Sequence, residues 1–425
     1  MRRRGVIVST LLTAATLIAA CGGASTGSEV RSHEPRDPVD QTAIPPTVLA
    51  NSALGTDLYQ ALARRSQNFV FSPYGVSVGL AMAGAGAAGA TAEQLATVQH
   101  LTPGMDLNSG LNALDQQLDG RNGEQTSDVR KGRVSLAVPV SLWGQKDTRF
   151  EQPFLTTLSQ SFGTGIRVVD FRSDPDASRR AINTWIRDET KGTIEELIPR
   201  GSVTDTTRLV VSQAATLQAP WDIPFDAART APAPFTLLDG TTDSVTMMGV
   251  AAPKGLLYAS SDGWQAASLP YLGRELEMVV LVPDAGRFAD VESRLDGAEL
   301  QRVLGLLRST SLDLQLPRFG FTTQGDLDTP LSEIGAPLAF TPGQADFSGI
   351  TADEALDISE FPHQAFLSVD EEGTDASATT VIPSNAPPRP VTANTLKVDR
   401  PFIVMVIDRG TNEPLFLGRV LSPTD

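Results

Sequence analysis

Residues 371–380 read EEGTDASATT, a stretch rich in proline and small residues follows, and the chain then returns to the apolar run DRPFIVMVI at 399–407. The first segment has too many small side chains to anchor an ordinary strand, and too little proline for an ordinary linker. When it is extended, Thr374, Ala376, Ala378 and Thr380 share one face, and all four are small. Such a face slides into a packed sheet without overpacking it. The pattern suits a strand that is not yet a strand.

The chain has 425 residues and is 41% hydrophobic, enough for a large core. Its net charge is −16, and nothing basic clusters beyond the first few residues. That argues against nucleic acid as a partner.

Arg2, Arg3 and Arg4 precede the apolar run Val6 to Ala20, which is too short to span a membrane comfortably. The run ends in Ile-Ala-Ala-Cys, which resembles the bacterial lipobox, where the cysteine is lipidated and becomes the new N-terminus. Cys21 is the only cysteine, so no internal disulfide exists. Residues 1–21 are therefore expected to be a lipoprotein signal peptide. The competing reading is a plain cleaved signal with an incidental cysteine. Residues 22–50 are Gly, Ser, Pro and charge, the composition of a disordered tether. The soluble part would then sit outside the cytoplasm, anchored by lipid to the outer face of a bacterial membrane.

From residue 51 the pattern is globular and undivided, so 51–425 reads as one domain. NFVF at 68–71 reads as a short strand, and GVSVGLAMAGAGAAGA at 75–90 as a buried helix of small residues. Thr91 is the expected cap of the next helix. Residues 134–143 read as a strand despite Pro139. Residues 174–199 read as an Asp-capped helix with Ala181, Ile182, Trp185 and Ile186 on one face. Strands are predicted at 209–217, 276–283, 312–319, 402–407 and 414–420, the last two as a hairpin. Helices dominate the first half and strands the second. That favours an α+β fold with antiparallel or mixed sheets.

GVSVG at 75–79 matches the G-x-S-x-G nucleophile elbow, a strand before it and a helix after. Too little fold precedes it to build the sheet such an elbow needs. Only His33, His100 and His363 exist to serve as a base for Ser77. A Ser-dependent hydrolase is thus the weakest reading. No H-E-x-x-H, Cys/His cluster or phosphate loop is present, so neither metal nor cofactor is expected. His363 lies in a strand pattern, where a lone histidine is most often a hydrogen-bonded core residue.

EEGTDASATT resembles the hinge of the serpins, inhibitors that insert their own reactive loop into a central sheet. The likeness extends over nearly all of 51–423. It is carried by NFVFSPYGVS (68–77), GATAEQL (89–95), INTWIRDETKGTIEELIP (182–199), WDIPFD (221–226) with PFTLLDGTTDSVTMM (234–248), ADFSGI (345–350) and VDRPFIVMV (398–406), in order and at the right spacing. Lys397 stands where glycine is usual. The resemblance implies the serpin fold: helices, a large central β-sheet, two further sheets and an exposed reactive-centre loop at about 371–396. Trp221 would lie at the breach where insertion begins, and Ser72 and His363 in the shutter behind the opening strands. Gly75 replaces a usual serine and Gln213 a usual asparagine, so the latch must differ.

The resemblance further implies an irreversible suicide-substrate inhibitor of a serine, or else a cysteine, protease, and not an enzyme. The hinge would comprise Glu371, Glu372, Gly373, Thr374, Asp375, Ala376, Ser377, Ala378 and Thr379. Counting from it puts the reactive bond near Pro387, with Ser384, Asn385 and Ala386 as the cleavable neighbours. Arg389-Pro390 is a poor site, since proline after the cut blocks most serine proteases. Small residues favour an elastase- or subtilisin-like target for a monomeric inhibitor. The alternative is a non-inhibitory, serpin-fold binding protein on the cell surface.

Overall fold

The computed structural model describes residues 27–127, 130–251, 255–375, 380–381 and 393–424. Three sheets organise them. The strands of the largest, in chain order, are β1 (Ser28–Val30), β2 (Gly123–Thr126), β3 (Arg130–Ala137), β4 (Val140–Gln145), β5 (Ile166–Val169), β6 (Leu209–Pro220), β7 (Phe319–Asp326), β8 (Ile358–Glu360), β9 (Pro362–Val369), β10 (Gly373–Thr374) and β11 (Thr380–Val381). Its spine runs β1-β5-β4-β6-β10-β9-β7. A seven-stranded sheet contains the Phe402–Asp408 and Glu413–Val420 hairpin, with Phe69–Phe71 at its edge. A four-stranded sheet pairs Leu312–Pro317 with Asn394–Lys397 in parallel. Among the described residues, nine α-helices surround these sheets. The architecture is α+β, with a large mixed central sheet and two further sheets, as the resemblance implies.

Several local expectations need correction. The tether expected over 22–50 does not hold for 27–50. Ser28–Val30 pairs antiparallel with Ile166–Val168 as an edge strand. Arg36 binds Asn112 Oδ1 at 2.7 Å and Asp115 Oδ2 at 2.6 Å. A helix then runs Ile44–Leu62, starting on two prolines whose missing N–H groups would be unpaired there anyway. Pro139 does break its strand: β3 and β4 follow one edge of β6 separately. Thr91 is not a cap. The helix Gly89–Val98 begins at Ala88, and the Thr91 hydroxyl accepts the Asp346 N–H.

The helix Pro175–Glu189 is capped by Asp174 as expected, but ends ten residues early. Lys191 and Gly192 take positive φ, and the chain folds back. Asn183 holds the return, accepting the N–H groups of Leu197 and Ile198 and donating to the Ile198 carbonyl. The buried face of this helix and of the return segment packs on Trp143, Val210 and Ala214 of the sheet.

Candidate functional site

The central sheet is open at one end. Between β6 and β9, His363–Phe366 pair directly and in parallel with Gln213–Thr216. Above that level the two strands part, and β10 fills the gap. Thr374 pairs antiparallel with Val369 on one side and with Ala219 on the other. Two residues of the expected hinge therefore already sit in the sheet, above a stretch that is closed.

A turn places them there. The Asp370 carboxylate accepts the N–H groups of Glu372 and Gly373, and the Asp370 N–H reaches the Gly373 carbonyl. Trp221 is fully buried, stacks on Tyr271 at 4.5 Å, and donates its indole N–H to the Asp370 carbonyl. Its backbone N–H donates to the Glu372 carbonyl. Thr374 is fully buried and shares a 2.6 Å hydrogen bond with the Tyr271 hydroxyl. Burial pushes that phenol's pKa well above its usual value, so it stays neutral. Asp375 then turns out of the sheet at φ 43°, its carboxylate accepting from Gln218.

Two arginines fix the carboxylates of the turn. Arg318 grips Glu371 through two 2.7 Å bonds, and Thr230 adds a third at 2.6 Å. Burial alone would raise the Glu371 pKa, but these bonds outweigh it and hold the pKa below the usual carboxylate range. Arg130, 1% exposed, donates to the Trp221 carbonyl at 2.8 Å and to Glu372 at 2.5 Å. Sequence reasoning missed Arg130, Arg318, Thr230 and Tyr271.

Lower down, His363 is buried and bonded through Nδ1 to the Gln213 side-chain oxygen. Burial pulls its pKa down to about 4. The unfolded chain takes up a proton near pH 6.5, before the folded one does. Stability from this site is therefore complete above that pH and falls on acidification towards 4. Ser72 instead caps the helix Pro73–Gly84, accepting the Gly75 N–H at 3.1 Å.

Gly75 and Gln213 fit each other. A Cβ at Gly75 would collide with the Gln213 amide and come within 2.9 Å of Val138. The long Gln213 side chain thus occupies space that glycine leaves. Gly75→Ser is expected to destabilise the protein by about 1–3 kcal/mol, as overpacking of a core does. Adding Gln213→Asn should recover most of that loss in a double-mutant cycle read by denaturant unfolding. Additive losses would show that the two positions are independent.

Ser77 is no nucleophile. It lies inside the helix Pro73–Gly84, 1% exposed, and its hydroxyl has no hydrogen-bond partner among the described residues. His100 is spent on Asp57 at the surface. Cys21, hinge residues Ala376, Ser377, Ala378 and Thr379, and the bond region Ser384, Asn385, Ala386 and Pro387 lie outside the described residues.

Residues 49–423 match the family model Serpin (serine protease inhibitor). An uncharacterized serpin-like protein of Thermococcus kodakarensis is 32% identical, over 89% of this chain and 86% of its own. Leukocyte elastase inhibitor A of Rattus norvegicus is 32% identical, over 88% of this chain and 98% of its own. Among solved structures, the thermophilic serpin tengpin in its native state superposes with a TM-score of 0.80 at 25% identity, over 93% of this chain and 99% of its own.

Proposed function

The chain belongs to the serpin family of serine protease inhibitors, and from that premise we propose that it traps a protease irreversibly by inserting its own cleaved loop into the central sheet. It is an inhibitor and not an enzyme. The observation that carries the proposed mechanism is the seating of Gly373 and Thr374 between β6 and β9 above a closed stretch. The register of that start extrapolates consistently. Counting on from Thr374, Thr380 would arrive between His363 and Gln213, which pair with each other before insertion. Pro383 would arrive between Glu360 and Val210, which also pair with each other. An inserted strand would thus replace existing parallel pairs with two antiparallel ladders.

The chemistry belongs to the protease. Its nucleophile attacks a loop carbonyl, forms a tetrahedral adduct and expels the amine of the following residue, leaving an acyl-enzyme. The hinge is then free to insert and carries the tethered protease with it. Distortion of the protease active site before water attacks the ester leaves it trapped. Small residues at Ser384, Asn385 and Ala386 favour an elastase- or subtilisin-like serine protease, and the relatives named leukocyte elastase inhibitors agree with that choice. A cysteine protease would form the equivalent thioester.

A panel of proteases mixed with the protein and run on a denaturing gel tests this directly. A covalent adduct is expected with one of the elastase- or subtilisin-like members. Cleavage without adduct across the panel would sink the inhibitory reading in favour of a serpin-fold binding protein. The relevant parallel there is thyroxine-binding globulin, crystallised with thyroxine, which superposes with a TM-score of 0.76 at 25% identity.

The same proposal places the inhibitor on the outer face of a bacterial membrane, held by a lipid on Cys21. Wild-type protein should partition into detergent and incorporate a fatty-acid analogue. Cys21→Ala should lose the label and appear in the soluble fraction or remain unprocessed. Equal soluble recovery of both forms would remove the anchor.

A further inference from the structure

We propose that the hairpin of β2 and β3 holds the reactive loop outside the sheet and sets how fast it inserts, an inference that rests on the insertion mechanism above. β3 is longer than its pairing with β6 requires. Only Ser135–Ala137 pair with β6, opposite Gln218–Thr216, and β6 ends at Pro220. From Val134 up to Lys131, β3 is backed on one edge by β2. Its other edge extends beyond β6 and is taken by the loop. Thr380 pairs with Lys131, and Val381 with Arg130.

The alternation of backbone groups identifies which residue makes that contact. The Arg130 carbonyl accepts from Ser127, and the Leu136 N–H donates to Asn122. Even-numbered residues of β3 thus turn their backbone groups towards the β2 side. Odd-numbered residues face the other way, so the Lys131 N–H and C=O face Thr380. Arg130 meanwhile holds Glu372 with its side chain. The tip of one strand therefore holds both Glu372, by a side chain, and Thr380, by strand pairing.

The two grips differ in what insertion does to them. Thr374 is already in its inserted register, so the Arg130–Glu372 pair survives the transition and acts as a pivot. Thr380 must leave Lys131 to reach His363 and Gln213. The Lys131–Thr380 pairing therefore breaks before the loop enters, and it opposes both productive and spontaneous insertion. Too weak a grip would let the uncut loop insert. Too strong a grip would let the acyl-enzyme hydrolyse first.

Lys131→Pro deletes the N–H that faces the loop, whereas Lys131→Ala keeps it. Both are compared with wild type for two rates: insertion after cleavage between residues 384 and 386, and loss of trapping by uncut protein held at raised temperature. Lys131→Pro is expected to speed both by about fivefold, the factor one net hydrogen bond is worth. Lys131→Ala should match wild type. Equal rates for all three proteins, or equal acceleration by both variants, would overturn the proposal. If the proline variant does not fold, amide exchange in wild type gives the answer. The Lys131 N–H should be protected in intact protein and exchange faster once the loop is cut; no change on cutting refutes the grip. A cut wild type that does not insert defeats the mechanism itself, an outcome distinct from any of these.

Discussion

Thr374→Arg is expected to convert this inhibitor into a substrate: the loop is still cut, the covalent adduct disappears, and cleavage turns over. Thr374 is the first inward-facing hinge side chain, fully buried, bonded to Tyr271 beside the stacked Trp221. An arginine there places a charge against the buried Tyr271 and Trp221 rings, where Thr374 has, among the described residues, only the Tyr271 hydroxyl as a side-chain partner. Removing an unpaired charge from water costs on the order of several kcal/mol. Because Thr374 is already seated before the cut, the arginine would first expel the hinge from the sheet, and insertion would then have to bury the charge; if about 3 kcal/mol of that appears in the barrier, the step slows by more than a hundredfold. Deacylation then wins, and the protease leaves intact. Asp375→Arg is the control. Asp375 turns out of the sheet, and its carboxylate accepts from Gln218. It should retain most trapping. Stoichiometry of inhibition measures both. Full trapping by both variants would refute the hinge assignment, and equal failure would refute the alternation of inward and outward positions.

Features that depend on local chemistry were legible before the structure. The Asp174 cap and the final hairpin are both encoded within a few residues. Ion pairs that lock the hinge were not. Arg130 meets Glu372 across 242 residues, and Arg318 meets Glu371 across 53, so neither pair has a local signature. The apolar spacing of Ile194, Leu197 and Ile198 extends the helical pattern after Asp174 beyond the helix's end at Glu189. They are buried on the fold-back instead, because Asn183 satisfies the backbone there. Ser28–Val30 was invisible for another reason. An edge strand held by backbone bonds needs no hydrophobic alternation, and the carboxylate of Glu29 accepts the Gly165 N–H at 2.6 Å and the Thr164 hydroxyl at 3.4 Å. The Gly75–Gln213 fit shows a further limit. Each residue alone reads as a departure from a pattern, and only their packing shows that one offsets the other.

Cutting the loop between residues 384 and 386 should make the protein far more heat-stable, although it breaks a peptide bond. In the intact chain, β6 and β9 are joined by only four direct pairs below the seated hinge. Insertion gives up those pairs and gains an antiparallel ladder on each side of the new strand, the better-aligned arrangement. The net gain is on the order of ten hydrogen bonds at roughly 1 kcal/mol each, with the burial of Ala376, Ala378, Thr380 and Ile382 added. At about 2 °C per kcal/mol for a domain this large, Tm should rise by roughly 20 °C or more. Pro383 limits the gain. It would sit between Glu360 and Val210 and supply no N–H to either ladder. Pro383→Ala should therefore raise the Tm of cut protein by a few degrees further, roughly one hydrogen bond's worth, and leave intact protein unchanged. Calorimetry of intact and cut protein, each with and without the substitution, reads all four values. Identical melting of intact and cut wild type would mean that the loop never enters. A large rise on cutting that Pro383→Ala does not extend would instead place the end of the inserted strand above residue 383.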